Sequence, residues 1–225
     1  MTTLIIGERG EGKTTLAKYI ARQRSRVSLM FEPKPDGSVS DCVKTYDEME
    51  FYEAIEDAKE SADQTIICFV PGDDVEEGFN EFCDVIESGD PRTRYLYGGI
   101  TIIIDEAWSL MTPNKSHPKL ENLLRLAPRD GCAQINVIVL AHKPVDINQR
   151  THTFSEELFL FRLTEQSDLD RIRERWRPEV ADAVETFPDG GHYVARYDKN
   201  SRIVEVWDDP SIWAPQTEVE TKGER

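Results

Sequence analysis

Apolar positions along the chain follow two alternating spacings. Compact apolar runs, rich in β-branched residues, occupy residues 4–6, 27–31, 65–70, 100–104, 135–140 and 158–161. Runs of this kind read as short strands, and the fully β-branched stretch at 100–104, isoleucine at all but Thr101, as a strand covered on both faces. Between them the spacing becomes helical. Leu16, Tyr19 and Ile20 share a face, as do Phe51, Ile55 and Ala58. Val75, Phe79, Phe82, Cys83 and Ile86 form an amphipathic stripe, with acids on the solvated side. Leu120, Leu123, Leu124 and Ala127 predict a short helix stopped by Pro128.

Local punctuation places the boundaries. Thr45 and Glu48 have capping-box spacing and predict a helix start at Thr45. Ser167 and Asp170 predict a start for a helix running to about Trp176. Glu32-Pro33-Lys34-Pro35-Asp36-Gly37 opens a loop that continues to Thr45, residues 88–99 read as a polar connector, and 111–118 as another loop. From His192 the period is that of a hairpin, 193–197 and 203–207 about a turn at 198–201. Strands alternating with helices predict an α/β fold: a mainly parallel sheet flanked by helices, with a C-terminal β-hairpin. Residues 1–210 are expected to form one domain and 211–225 a disordered polar tail.

Composition narrows the function classes. Hydrophobic content of 39% with 31% charged residues fits an ordered protein, and no apolar run is long enough to span a bilayer. The net charge is −16, from 43 acids against 27 bases. That argues against a surface coated in positive charge for non-specific nucleic-acid binding. It leaves room for a channel lined by a few bases from several subunits. Cys42, Cys68, Cys83 and Cys132 form no C-x-x-C pair; Cys68 and Cys83 lie among apolar neighbours and read as buried free thiols, which fits a reducing compartment. A secretory leader is not expected, since a glycine-rich loop stands in its place.

That loop carries the first chemistry. Gly7-Glu8-Arg9-Gly10-Glu11-Gly12-Lys13-Thr14, followed by Thr15, is G-x-x-x-x-G-K-[ST] between a strand and a helix, the Walker A context. Glycines let backbone N–H groups curl around phosphate oxygens, and the helix turns its positive end to the anion. Lys13 reaches the β- and γ-phosphates of ATP, and the Thr14 hydroxyl suits Mg²⁺. The second half of such a site is a metal carboxylate and a group that activates water. Thr101-Ile102-Ile103-Ile104-Asp105-Glu106 delivers both from a strand end: Asp105 for Mg²⁺, and Glu106 for the water.

With these residues placed, the chain resembles the FtsK/HerA superfamily of ring-forming DNA-pumping ATPases, over most of residues 1–177. Phe31-Glu32-Pro33-Lys34 matches a strand that ends in an acid and a proline. Arg129-Asp130-Gly131 is similar to a basic residue ahead of the sensor strand, and Phe161-Arg162-Leu163 with Asp168 to the terminal strand and polar tail. Ala141-His142-Lys143-Pro144 stands where the family usually has Thr-Gln-x-Pro. The layout most resembles the genome-packaging ATPases of tailless icosahedral viruses with an internal membrane, which consist of little beyond the motor core.

The resemblance implies an ATPase that translocates double-stranded DNA into a preformed capsid. It implies a homo-oligomeric ring, a hexamer, that meets capsid vertex proteins in the host cytoplasm and virion. It makes His142 the sensor in place of glutamine. Arg129, with Arg125 as second choice, becomes an arginine finger for the neighbouring subunit. Lys115, His117, Lys119, Arg125 and Arg129, against the single acid Glu121, form a candidate DNA-contacting loop. Two other readings remain at this stage: a Zot-like filamentous-phage assembly ATPase, and a small-molecule P-loop kinase.

Overall fold

The computed structural model describes residues 1–33, 40–87, 99–126, 135–188 and 193–207. Arg129, Cys132, the 34–37 turn, the helix stop at Ala127 and Pro128, nearly all of the 88–99 connector and the 211–225 tail lie outside them.

Nine strands of the described residues form one sheet. In chain order its members are β1 (Thr2–Ile6), β2 (Val27–Phe31), β3 (Val43–Thr45), β4 (Thr65–Phe69), β5 (Ile100–Ile104), β8 (Ile135–Ala141), β9 (Glu157–Leu160), β10 (Val194–Asp198) and β11 (Ile203–Trp207). Across the sheet the order is β11-β10-β9-β1-β8-β5-β2-β4-β3. The strands from β9 to β3 pair in parallel, and the β10–β11 hairpin adds antiparallel to β9. The α/β class, the mainly parallel sheet and the terminal hairpin therefore agree with the sequence reading.

Seven helices accompany the sheet among the described residues: α1 (Lys13–Arg24), α2 (Glu48–Glu60), α3 (Val75–Glu87), α4 (Pro118–Leu126), α5 (Gln149–Phe154), α6 (Gln166–Arg175) and α7 (Pro178–Glu185). Side-chain alternation along the strands divides the interior in two. Leu4 and Ile6 of β1, and Ile102 and Ile104 of β5, face the larger core, with the apolar sides of α2, α3, α4, α6 and α7. Ile5 and Ile103 face the other side, against Leu16, Ala17, Ile20 and Ala21 of α1. Because both faces are covered, the central strands carry apolar residues at nearly every position rather than an alternating pattern.

Several boundaries differ from expectation. Residues 43–45 are not loop but the edge strand β3. The second helix is capped two residues later than the Thr45–Glu48 spacing suggests. Asp47 accepts from the Glu50 N–H at 2.9 Å, and the Glu50 carboxylate returns to the Tyr46 N–H at 2.9 Å. Asp47 wins because Thr45 is committed to β3, its hydroxyl donating to the Cys68 carbonyl at 3.2 Å. Residues 111–118 hold a miniature hairpin, β6 (Met111–Thr112) with β7 (Lys115–Ser116), rather than an open loop. Ser167 lies inside α6, whose N-cap is Glu165 without a side-chain cap. No helix among the described residues is long and apolar enough to cross a membrane.

Candidate functional site

The parallel strands place their C-terminal ends along one edge, where open α/β sheets bind ligands. Strand β8 lies between β1 and β5, in register Ile6 to Ala141 and Ile104 to Val139. The loop after β1, the acids after β5 and the segment after β8 are thereby adjacent, although 129 residues separate Lys13 from His142.

The loop after β1 keeps the geometry its glycines permit. Gly10 and Gly12 have φ of 90° and 95°, left-handed values that side chains disfavour. Gly12 is the N-cap of α1, so the helix's N-terminal amides face the loop. Gly7 is required for a different reason: a Cβ there would lie 2.4 Å from the Phe161 Cβ. The Glu8 carboxylate faces away from the loop's interior and ties it to the segment after β9. It accepts from the Thr164 N–H at 3.0 Å and from the Thr164 hydroxyl at 2.6 Å. Lys13 is buried, and its ammonium donates to the Gly7 and Glu8 carbonyls, each at 2.7 Å, and to His142 Nδ1 at 3.2 Å.

Both acids sit where the strand pattern puts them. The Asp105 N–H donates to the Phe31 carbonyl at 3.0 Å, prolonging the β5–β2 ladder by one bond. Its carboxylate accepts from the Thr14 hydroxyl at 3.3 Å and the Glu106 N–H at 2.8 Å. Glu106 then leaves the strand in a left-handed conformation, φ 47° and ψ 45°. For a non-glycine residue this costs on the order of 1–3 kcal/mol and concentrates at functional sites. The turn aims its buried carboxylate across at His142, whose Nε2–H donates to it at 2.9 Å. Trp108 Nε1–H donates to the same carboxylate. Since Nδ1 accepts from Lys13, the imidazole carries its proton on Nε2.

Arg9, Glu106, Trp108, His142 and Asp146 line a cleft of about 300 Å³. Thr14 and Asp105 together offer two hard oxygen donors, and no group of three or more His, Cys, Asp or Glu residues among those described could hold a metal. That donor set fits Mg²⁺, which takes one or two protein oxygens and leaves the remaining positions to water and phosphate.

The sequence-predicted residues divide accordingly. Gly7 to Thr15, Asp105, Glu106 and His142 converge on one strand-end site. Arg129 lies outside the described residues. Arg125 is exposed on α4 and donates to the Asn122 side chain at 2.8 Å. The candidate DNA-contacting loop is partly absorbed by the fold. His117 is buried with its ring edge-on to Phe79, and burial pushes its pKa down. Lys119 is ion-paired to Asp84. Trp108 escaped the sequence reading. A tryptophan two residues beyond an acid pair at a strand end was the available signal, and its indole N–H requires an acceptor.

No family model and no curated protein matches the sequence. Solved structures do. The genome packaging NTPase B204 from Sulfolobus turreted icosahedral virus 2, in complex with ATP-gammaS, superposes with a TM-score of 0.68 at 15% identity, covering 93% of this chain and 96% of that one. The DNA-packaging ATPase B204 from Sulfolobus turreted icosahedral virus gives 0.67 at 20% identity, covering 93% and 97%. VirB4 of Thermoanaerobacter pseudethanolicus gives 0.63 at 13% identity, covering 95% and 91%. At these identities the likeness establishes the fold: a P-loop NTPase fold across nearly the whole of each chain.

Proposed function

We propose that the chain is an FtsK/HerA-type ATPase that hydrolyses ATP to translocate double-stranded DNA, packaging a viral genome into a preformed capsid. The observation that carries the hydrolytic part is the meeting of two half-sites, with Thr14 and Asp105 3.3 Å apart and the Glu106–His142 pair beside Lys13. A phosphate grip alone serves kinases and scaffolds equally. A buried carboxylate held over that grip is suited to taking a proton from water.

In this reading the loop amides and Lys13 bind the phosphates, with Lys13 exchanging its present acceptors for phosphate oxygens. Thr14 and Asp105 would hold Mg²⁺, which when bound would neutralise negative charge on the phosphates. Glu106 orients the attacking water and accepts its proton. His142 Nε2–H is placed to bond the water or the γ-phosphate. The packaging role is supported by the fold shared with two viral packaging ATPases, and the ring and the finger Arg129 by the resemblance of the sequence. The expected setting is the host cytoplasm and the packaging vertex of the virion.

Release of inorganic phosphate from ATP and Mg²⁺, with and without linear double-stranded DNA, tests the proposal. The wild type should hydrolyse ATP, and DNA should raise the rate. Glu106→Gln should bind nucleotide yet lose about 10²-fold or more in rate, and Lys13→Ala should lose nucleotide affinity. Absence of phosphate release, or transfer of the phosphoryl group to a small-molecule acceptor, would overturn the ATPase reading. Hydrolysis indifferent to DNA would overturn the translocase.

A further inference from the structure

We propose that Trp108 is a positioning residue for the Glu106 carboxylate, holding the base in place while the phosphate loop changes partners. The inference rests on the hydrolytic reading above.

Four side chains form one hydrogen-bonded chain. Lys13 donates to His142 Nδ1 at 3.2 Å, His142 Nε2–H donates to Glu106 at 2.9 Å, and Trp108 Nε1–H donates to Glu106 from the other side. Glu106 is 5% exposed. Carboxylate oxygens so buried need donors to be satisfied, and each of these two neighbours supplies one.

The two donors do not depend on the same things. His142 owes its tautomer and orientation to Lys13. Phosphate oxygens carry full negative charge and are stronger acceptors for an ammonium than an imidazole nitrogen. When phosphates take Lys13, His142 Nδ1 loses its donor and the ring is released to turn. Trp108 has no bond to the phosphate loop. It is mounted on the 3₁₀ turn Ala107–Ser109, which is pinned at both ends. The Ser109 N–H and hydroxyl both donate to the Glu106 carbonyl at 2.9 Å, and the Leu110 N–H donates to the Ala107 carbonyl at 3.0 Å. Buried Ala107, Leu110 and Met111 anchor the turn in the larger core. Trp108 thus remains as a fixed donor to Glu106 at the moment His142 is freed.

Burial does not explain this tryptophan. The residue is 52% exposed and lines the cleft, so it contributes little to the core. Indole is a donor only, and that donor is spent on the base.

The test is Trp108→Phe, which keeps a ring and removes the N–H. The expected result is a fall in kcat of about tenfold, with KM and the nucleotide Kd within about twofold of wild type, as for loss of orientation rather than of binding. Trp108→His, which keeps a ring N–H, should recover part of kcat. In a Glu106→Gln background, Trp108→Phe should change the residual rate by less than about twofold, because residues acting as a unit are not additive. Unchanged kcat in Trp108→Phe overturns the inference. So does a raised KM or lost nucleotide affinity, which would make the ring a binding surface. A wild type that binds nucleotide without hydrolysing it overturns the proposed function and this inference together; a hydrolysing wild type with an unaffected Trp108→Phe overturns this inference alone.

Discussion

His142 shows how much of a residue's setting lies outside its own stretch of sequence. Its position after β8 was legible because the Ala-His-Lys-Pro stretch follows an apolar run. Its link to Lys13 was not, because nothing local says that β8 lies beside β1. The imidazole accepts on Nδ1 and donates on Nε2. A glutamine side chain offers the same pair, a carbonyl oxygen and an amide N–H. His142→Gln should therefore keep most of the ATPase rate, while His142→Ala, which removes both functions, should lower kcat by at least about tenfold. Equal and full activity of the two variants would remove His142 from the mechanism. Gly7 presents the reverse case. Its motif position suggests a phosphate contact, yet the Phe161 Cβ would lie 2.4 Å from any added Cβ. Gly7→Ala should destabilise the protein by about 1–3 kcal/mol, the usual cost of overpacking, measured as a lower urea midpoint in the absence of nucleotide. Phe161→Ala should not rescue it, since alanine keeps the offending Cβ.

At the scale of elements, apolar periodicity found β1, β2, β4, β5, β8, β9 and α1 to α4, because each buries a contiguous stripe. It missed β3, the β6–β7 hairpin, α5 and α7. The first is three residues long with Val43 exposed. In α5 the buried residues are Thr151 and His152, which carry no hydrophobic signal. For α7 a signal existed, Pro178 at the first helical position and Val180, Ala181 and Val184 on one face. The joint between these late elements makes a pH prediction. His152 Nδ1 accepts from Trp176 Nε1–H at 3.0 Å, and its Nε2 faces the Pro144 carbonyl at 3.5 Å, just beyond His142. Burial, helped by Arg175, Lys199 and Arg171, pushes its pKa down to about 4 from an ordinary 6.5. The unfolded chain therefore binds a proton between those values that the folded protein refuses. The neutral ring's stability is fully present above pH 6.5 and is lost as pH falls toward 4. Between pH 7 and 4.5 the loss from this residue should be about 2–3 kcal/mol. His152→Gln should show a shallower fall in urea midpoint than wild type over that window, carboxylate titration being common to both; parallel slopes would show that His152 is not the group responsible.

For the whole molecule, the class of fold was written in the alternation of strands and helices, but the strand order was not. Periodicity gives the elements and leaves their neighbours open, so Lys13 and His142, and likewise Thr14 and Asp105, could be named without being seen to touch. The same gap applies between subunits. The cleft is open at Trp108 and Arg9, both exposed, and Lys13 reaches the Glu106–His142 pair at its inner end. Charge developing on a transferring phosphoryl group is further stabilised by an arginine where a neighbour supplies one, which commonly accelerates such reactions by roughly 10³–10⁵. The resemblance makes Arg129 the candidate, with Arg125 second. A ring can be tested without knowing its size. On that reading, Lys13→Ala spoils the site that would receive a finger, whereas Arg129→Ala spoils the finger a subunit would give. Mixed in one ring, a wild-type site facing a wild-type finger reappears at some boundaries. Mixtures should then recover part of the activity that neither variant has alone, peaking near equal proportions, with the mass in solution confirming that the two assemble. Assembly without recovery would place the needed cation within a single subunit, and Arg125→Ala in the same mixture would show whether the α4 arginine is the one that crosses.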